Sequence, residues 1–187
     1  MTCALVRPAL AWTQGVDAPV PAGLLRRALE ALERHRDHIA CRDVVGIADF
    51  SVPSCTPRLH LLRLSDLSVT SHLVAHGRGS DPAHTGWLAR FSNEPRSYAT
   101  SSGAYRTDGS YVGSHGDSMR LEGLDPTNSN AASRAIVVHG AWYVSPQMVS
   151  QHGMLGRSEG CFAVTQSSLD EILTRLGPGR LLYADKT

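Results

Sequence analysis

RAIVVHGAWYVSPQMVSQHGMLGRSEGCFAV, residues 134–164, holds a histidine at the end of one apolar run and a cysteine at the start of another. Ala135, Ile136, Val137 and Val138 predict a buried strand, and His139-Gly140 ends it where the backbone must turn. Gly156 to Gly160 form a glycine-bounded loop that delivers Cys161 to a second short strand, Cys161–Val164. A thiol and an imidazole held at the ends of adjacent strands are what nucleophilic thiol chemistry requires. The imidazole takes the proton and the thiolate attacks a carbonyl. The N–H groups of Gly160 and Cys161 are candidates for stabilising an oxyanion, since glycine leaves them unshielded. The plainer alternative is that Cys161 is a small inert hydrophobe of the core.

Between the two runs, Ser145-Pro146 predicts a helix start and Gly153 its end. This short helix carries His152, a competing base nine residues before Cys161. A strand end is the more rigid platform, which favours His139. Downstream, Ser168-x-x-Glu171 predicts a capping box, Leu169, Ile172, Leu173 and Leu176 a helical face, and Gly177-Pro178 its stop. Leu181-Leu182-Tyr183 reads as a final edge strand.

Upstream, residues 19–40 read as an amphipathic helix, with Leu24, Leu25, Ala28, Leu29, Leu32 and Ile39 on one face. His35 and His38 fall in its charged end and read as solvated rather than metal-binding. From Asp43 the period becomes that of strands: 44–50, 58–64 and 69–75, with a Pro53–Pro57 loop between the first two. The third strand ends at His76-Gly77-Arg78-Gly79-Ser80, read as a turn rather than a phosphate cradle. A loop-rich stretch covers 81–100. Asp108-Gly109 predicts a tight hairpin with Tyr111 to His115 pairing back on the residues before it. The division expected is an N-terminal helical segment, 1–42, and a mainly β domain, 43–187.

The chain has 187 residues, 42% of them hydrophobic, and a formal net charge of +1. That suffices for a sizeable core and gives no electrostatic case for a nucleic-acid partner. No apolar run is long enough for a membrane-spanning helix. MTCALVRPALAWTQGVDA lacks the pattern of a signal peptide, because Arg7 and Pro8 interrupt its apolar residues. The four cysteines, Cys3, Cys41, Cys55 and Cys161, contain no C-x-x-C pair, so a structural zinc site is not expected. Cys41 and Cys55 are either a short-loop disulfide or two buried thiols.

The 134–164 stretch resembles the catalytic motif of the L,D-transpeptidase (YkuD-type) family of peptidoglycan enzymes. His139-Gly140 matches that family's HG, and Ser158-Glu159-Gly160-Cys161 its Ser/Thr-His-Gly-Cys-type segment. GRSEGCFAV together with HGAWYVS is similar to the murein L,D-transpeptidase catalytic domain branch, as are ADFSVPS, RLHLLRL, HGRGS, SSGAYRT and GSHGDSMRLEGL further upstream. Two positions depart from the broad family pattern: Glu159 replaces the second histidine, and Ala163 stands where Arg or Asn often follows the cysteine.

The resemblance implies a β-sandwich or barrel-like core with a few peripheral helices, and a cleft for peptidoglycan stem peptides. In the implied mechanism Cys161 is the nucleophile and His139 the base, then the acid. The Gly140 carbonyl orients the imidazole, where serine proteases use an aspartate. Arg157 and Ser158 are candidate substrate contacts, Arg157 either pairing with a stem carboxylate or bracing the loop. Tyr105 falls on a strand implied to run along the cleft, while His76 and His115 are implied to border it. No metal or organic cofactor is implied, and the expected location is the periplasm or cell envelope, or the cytoplasm if no export signal exists. The expected reaction is 3→3 cross-linking of tetrapeptide stems. An L,D-carboxypeptidase and a non-catalytic cell-wall-binding domain are the alternatives.

Overall fold

The structure, a computed structural model, describes residues 19–187. The N-terminal stretch weighed as an export signal, and Cys3 with it, lie outside the described residues.

Among the described residues nine strands form one mixed sheet. In chain order they are β1 (Val44–Asp49), β2 (Leu59–Arg63), β3 (Val69–His72), β4 (Val74–Ala75), β5 (Gly103–Gly113), β6 (Gly116–Gly123), β7 (Val137–Gly140), β8 (Phe162–Val164) and β9 (Leu181–Asp185). Their spatial order is β3-β2-β1-β9-β5-β6-β7-β8-β4. β3 and β4 are the two ends of that order, yet only Leu73 separates them in the chain. The sheet must therefore curl until its edges nearly meet, which makes the fold mainly β and barrel-like. This also corrects the single strand expected over 69–75: the chain crosses from one sheet edge to the other at Leu73.

Among the described residues three helices accompany the sheet: α1 (Ala22–Arg34), α2 (Pro146–His152) and α3 (Gln166–Leu176). Alternation along the strands sorts side chains into an inner and an outer core, with a smaller third cluster around Ala75, Val144, Leu155 and Ala163. Val44, Ala48, Leu182 and Ala184 face the inner cluster with Tyr105, Met119, Val138, Phe162 and the α3 residues Leu169, Ile172 and Leu176. Val45, Ile47, Leu181 and Tyr183 face outward and are covered by Leu24, Leu25, Ala28 and Leu32 of α1. Burying each such leucine contributes about 1.5–3 kcal/mol. β9 is accordingly central, pairing with β1 in parallel and β5 in antiparallel, and not the edge strand expected.

Other sequence expectations shift for identifiable reasons. α1 ends at Arg34, and His35 is drawn out of solvent by a 2.9 Å hydrogen bond between its Nε2 and Asp125 Oδ1. α3 is capped by Thr165, whose Oγ1 accepts from Ser168 N at 3.1 Å, while Glu171 faces Arg175 instead of closing a capping box. α2 keeps the expected ends: Ser145 accepts from Met148 N, and Gly153 adopts φ 70°. Asp108-Gly109 is not a hairpin turn. Thr107 pairs with Leu121 and Ser110 with Met119, so β5 carries one extra residue, a β-bulge. The chain turns at Ser114-His115, between Gly113 and Gly116 (φ 76°). That extension carries His115 to the tip of a long hairpin. Cys41 and Cys55 are free thiols.

Candidate active site

β7 and β8 are parallel neighbours, with Val138 opposite Phe162 and His139 opposite Ala163. Cys161 immediately precedes β8, so the register alone sets it beside the β7 strand that carries His139. Both side chains line one cleft of about 610 Å³, together with Tyr98, His115, Arg134 and Tyr143.

His139 Nδ1 lies 2.9 Å from the Gly140 carbonyl. A carbonyl only accepts, so Nδ1 carries the hydrogen and Nε2 presents its lone pair. The imidazole is 2% exposed. Its pKa is lowered by burial, raised by the bond to Gly140 and lowered by His115. His115 reaches it from the β5–β6 hairpin tip, its ring stacked on His139 at 4.3 Å and 21°. Among the described residues no three His, Cys, Asp or Glu side chains are grouped to hold a metal ion.

The Cys161 thiol donates to the Ala135 carbonyl at 3.5 Å. Burial pushes its pKa up; a hydrogen bond from the Val137 backbone and the Arg134 guanidinium pull it down, and Glu159 raises it. At both groups burial disfavours the charged form. Arg134 is held by Ser92 O at 2.8 Å, by Ser97 Oγ at 3.3 Å and by the Ala99 carbonyl.

The loop before Cys161 is fixed by Ser158. Its Oγ donates to the Cys161 carbonyl at 2.7 Å and accepts from Gly160 N at 3.1 Å. Gly160 has φ 119°, and a Cβ there would meet Ala99 O at 2.8 Å. The Gly160 N–H is thus committed to the loop, which leaves the Cys161 N–H of the two donors named from sequence. Ser158 lines the cleft but acts as a brace. Arg157 lines it too, with Nη1 donating to the Asp81 carbonyl and, at 3.3 Å, to that of Pro82.

Two residues expected at the cleft are elsewhere. Tyr105 is fully buried, its OH donating to Ser101 O at 2.7 Å and its ring edge-on to Phe162 at 5.4 Å. The inner face of β5 is core at that point. His76 is 1% exposed and sits behind the nucleophile loop. Its Nδ1 accepts from Arg58 Nη2 at 2.7 Å, and its Nε2 lies 3.5 Å from Asp81 Oδ2. Its main chain still serves the site, because the His76 carbonyl accepts from Ser158 N at 3.0 Å. His152 borders a different hollow with His84 and Met148.

Sequence reading missed Arg134, Tyr98, Arg96, Tyr143 and the Ala135 backbone. Arg96, Tyr98 and Ala135 have φ of 62°, 53° and 53°, and all three line the cleft. Left-handed backbone at residues with a Cβ costs roughly 1–2 kcal/mol each and collects at functional sites. No periodicity or propensity marks such positions.

A curled mixed sheet presenting a cysteine and a histidine from neighbouring strand ends to one cleft suits acyl-transfer chemistry. The family model described as L,D-transpeptidase catalytic domain (YkuD_2) matches residues 18–184, and the chain belongs to that family. Family membership supports an enzyme of this kind, and the family acts on peptidoglycan. Among solved structures it is similar to a point mutant of the helical cell shape determining protein Pgp2 from Campylobacter jejuni. That pair has 11% identity and a TM-score of 0.51, over 90% of this chain and 57% of the other. It is also similar to an L,D-transpeptidase from Mycobacterium smegmatis, with 14% identity and a TM-score of 0.45 over 76% and 58%. One from Mycobacterium tuberculosis H37Rv has 18% identity and a TM-score of 0.41 over 76% and 57%. The chain thus spans less than two thirds of these proteins' lengths. No curated protein matches it. Among the described residues no helix is long and apolar enough to cross a membrane.

Proposed function

We propose that the chain is a cysteine-dependent L,D-transpeptidase acting on peptidoglycan tetrapeptide stems in the cell envelope. The observation that carries this reading is the shared cleft of Cys161 and His139, with the Gly140 carbonyl leaving His139 Nε2 free to take a proton. As Nε2 takes the Sγ proton, the thiolate attacks the carbonyl at the L-centre of the third stem residue. The Cys161 N–H supports the oxyanion. Collapse breaks the bond to D-Ala, whose amine leaves with the proton from His139. The acceptor amine of a second stem then attacks the thioester, passing its proton through Nε2 to the departing sulfur, and a 3→3 cross-link results.

A second reading has water resolve the same thioester, which makes the domain an L,D-carboxypeptidase. It rests on Glu159, an exposed carboxylate of the cleft where the broader family pattern carries histidine. Mass spectrometry of disaccharide-tetrapeptide incubated with wild type and with Cys161→Ala separates these. A cross-linked dimer from wild type alone is the expected result. Tripeptide without dimer establishes the hydrolase. No conversion by wild type overturns catalysis on this substrate and leaves a cell-wall-binding role.

A further inference from the structure

The chain as a whole is nearly neutral at +1, but the cleft is not. Arg96, Arg134 and Arg157 line it, against Glu159 alone, and Glu159 is paired with Arg78 at 2.9 Å on the rim. The three arginines are not equivalent. Arg134 is tied to Ser92, Ser97 and Ala99, and Arg157 to Asp81 and Pro82. Arg96 makes no hydrogen bond or ion pair among the described residues. It follows Pro95, which also lines the cleft.

Its segment is nevertheless rigidly held. Arg134 binds main-chain or side-chain oxygens on both sides of Arg96, at Ser92 and at Ser97 and Ala99. Gly79 N donates to Tyr98 O at 2.9 Å, and Ser97 N to Glu94 O at 3.2 Å. A Cβ on Gly77 would fall 2.2 Å from Tyr98 O, so the glycine loop packs directly on this segment. Arg96 itself is held at φ 62° and Tyr98 at φ 53°. A strained, braced backbone sets Arg96, exposed and with no side-chain partner, in the lining of a cationic cleft, where an arriving anion meets an unengaged guanidinium. The guanidinium fork fits a carboxylate in two-point contact, which an ammonium would not match.

We propose that Arg96 is the specificity-determining residue of this site: it binds a free carboxylate of the stem peptide and selects acid stems over amidated ones. Arg157, the arginine singled out from sequence, is a loop brace by comparison. The assignment rests on the stem-peptide reading above and adds to it which substrate form is preferred.

Calorimetry in a full-chain Cys161→Ala background measures binding without turnover. The probes are a synthetic stem tetrapeptide with free carboxylates and the same peptide with its carboxylates converted to amides. Adding Arg96→Gln should weaken the acid peptide on the order of tenfold to a hundredfold and leave the amide peptide unchanged. Arg96→Lys should restore only part of the loss, because it keeps the charge and loses the fork. In otherwise wild-type protein, Arg96→Gln should raise KM for the acid stem while retaining kcat. Equal loss on both peptides, or no loss on either, overturns the role of Arg96 alone. If neither peptide binds when Arg96 is present, the stem-peptide reading falls, and this assignment with it.

Discussion

Removing one hydroxyl tests how the nucleophile is held. Ser158 is 4% exposed, and its Oγ joins the Cys161 carbonyl at 2.7 Å to the Gly160 N–H at 3.1 Å. Ser158→Ala leaves both groups without that partner, in a loop where Gly160 already occupies φ 119°. An unsatisfied buried polar group costs about 1–3 kcal/mol. The two share one oxygen and relax together, so the sum is roughly 2–4 kcal/mol. Typical domain stability is about 5–15 kcal/mol, so the variant should fold. Urea denaturation should show a lower midpoint at unchanged m-value. Turnover should fall on the order of a hundredfold, since about 1 Å of misplacement at a reacting atom has that effect. A stability loss under about 0.5 kcal/mol with full turnover would refute the bracing argument. So would lost turnover accompanied by a changed m-value, because global loosening would then account for it.

Two pH effects follow from buried histidines. His139 must be neutral to act as base, and burial lowers its pKa, so the acid limb of kcat/KM should lie below the ordinary imidazole value of 6.5. His115→Ala removes both a neighbouring charge and a stacked cover, each of which disfavours imidazolium, and should move that limb upward; a downward move would contradict the stacking. His76 is pushed down to about 4 by burial and then by Arg58. Between about 6.5 and 4 the unfolded chain therefore binds a proton that the folded chain refuses. Its contribution is complete above pH 6.5 and is lost as the pH falls through that window, on the order of 3 kcal/mol. His60 and His72, also lowered by burial, act in the same direction. Urea midpoints from pH 7 to 4 should fall in wild type and fall less in His76→Gln, whose side-chain carbonyl can still accept from Arg58. Equal slopes would show that His76 does not titrate this way.

The chain offers two nearly identical local signals, Val74-Ala75-His76-Gly77 and Val137-Val138-His139-Gly140. Each is an apolar strand end followed by His-Gly; the pattern itself suggested a cleft histidine at His139, and the family resemblance suggested one at His76. Their fates differ through partners remote in sequence. Arg58 Nη2 takes His76 Nδ1 and turns that ring inward, whereas His139 Nδ1 is taken by the next residue's own carbonyl. Local pattern reports strand, turn and residue type; it carries no information about an arginine 18 positions upstream. Tyr105 was opaque for a related reason. Both faces of β5 are buried near it, so alternation could not say which face met the cleft. The cysteine strand, the α2 caps and the β-rich class were legible because short-range chemistry decides them. The central place of β9 was not, because a parallel pairing with β1 joins residues at opposite ends of the chain.

The electrostatics of the pair give the cleft its chemical character. Burial raises the thiol and lowers the imidazole, and both shifts favour the neutral pair over a resting thiolate–imidazolium pair. The groups that oppose burial at sulfur are the Val137 backbone and Arg134, and both are fixed by the fold before any substrate enters. Their interaction strengthens as negative charge builds on sulfur, whereas the neutral thiol draws little from them. Stabilisation that grows along the reaction lowers the barrier; stabilisation already present at rest would not. The same arrangement disfavours free thiolate in the empty cleft, and in the proposed reaction proton transfer to His139 accompanies formation of the carbon–sulfur bond. On the proposed acyl-transfer reading, such a site disfavours thiolate until a carbonyl lies against the sulfur, and Arg134, which no local pattern marks, is the side chain that opposes burial there.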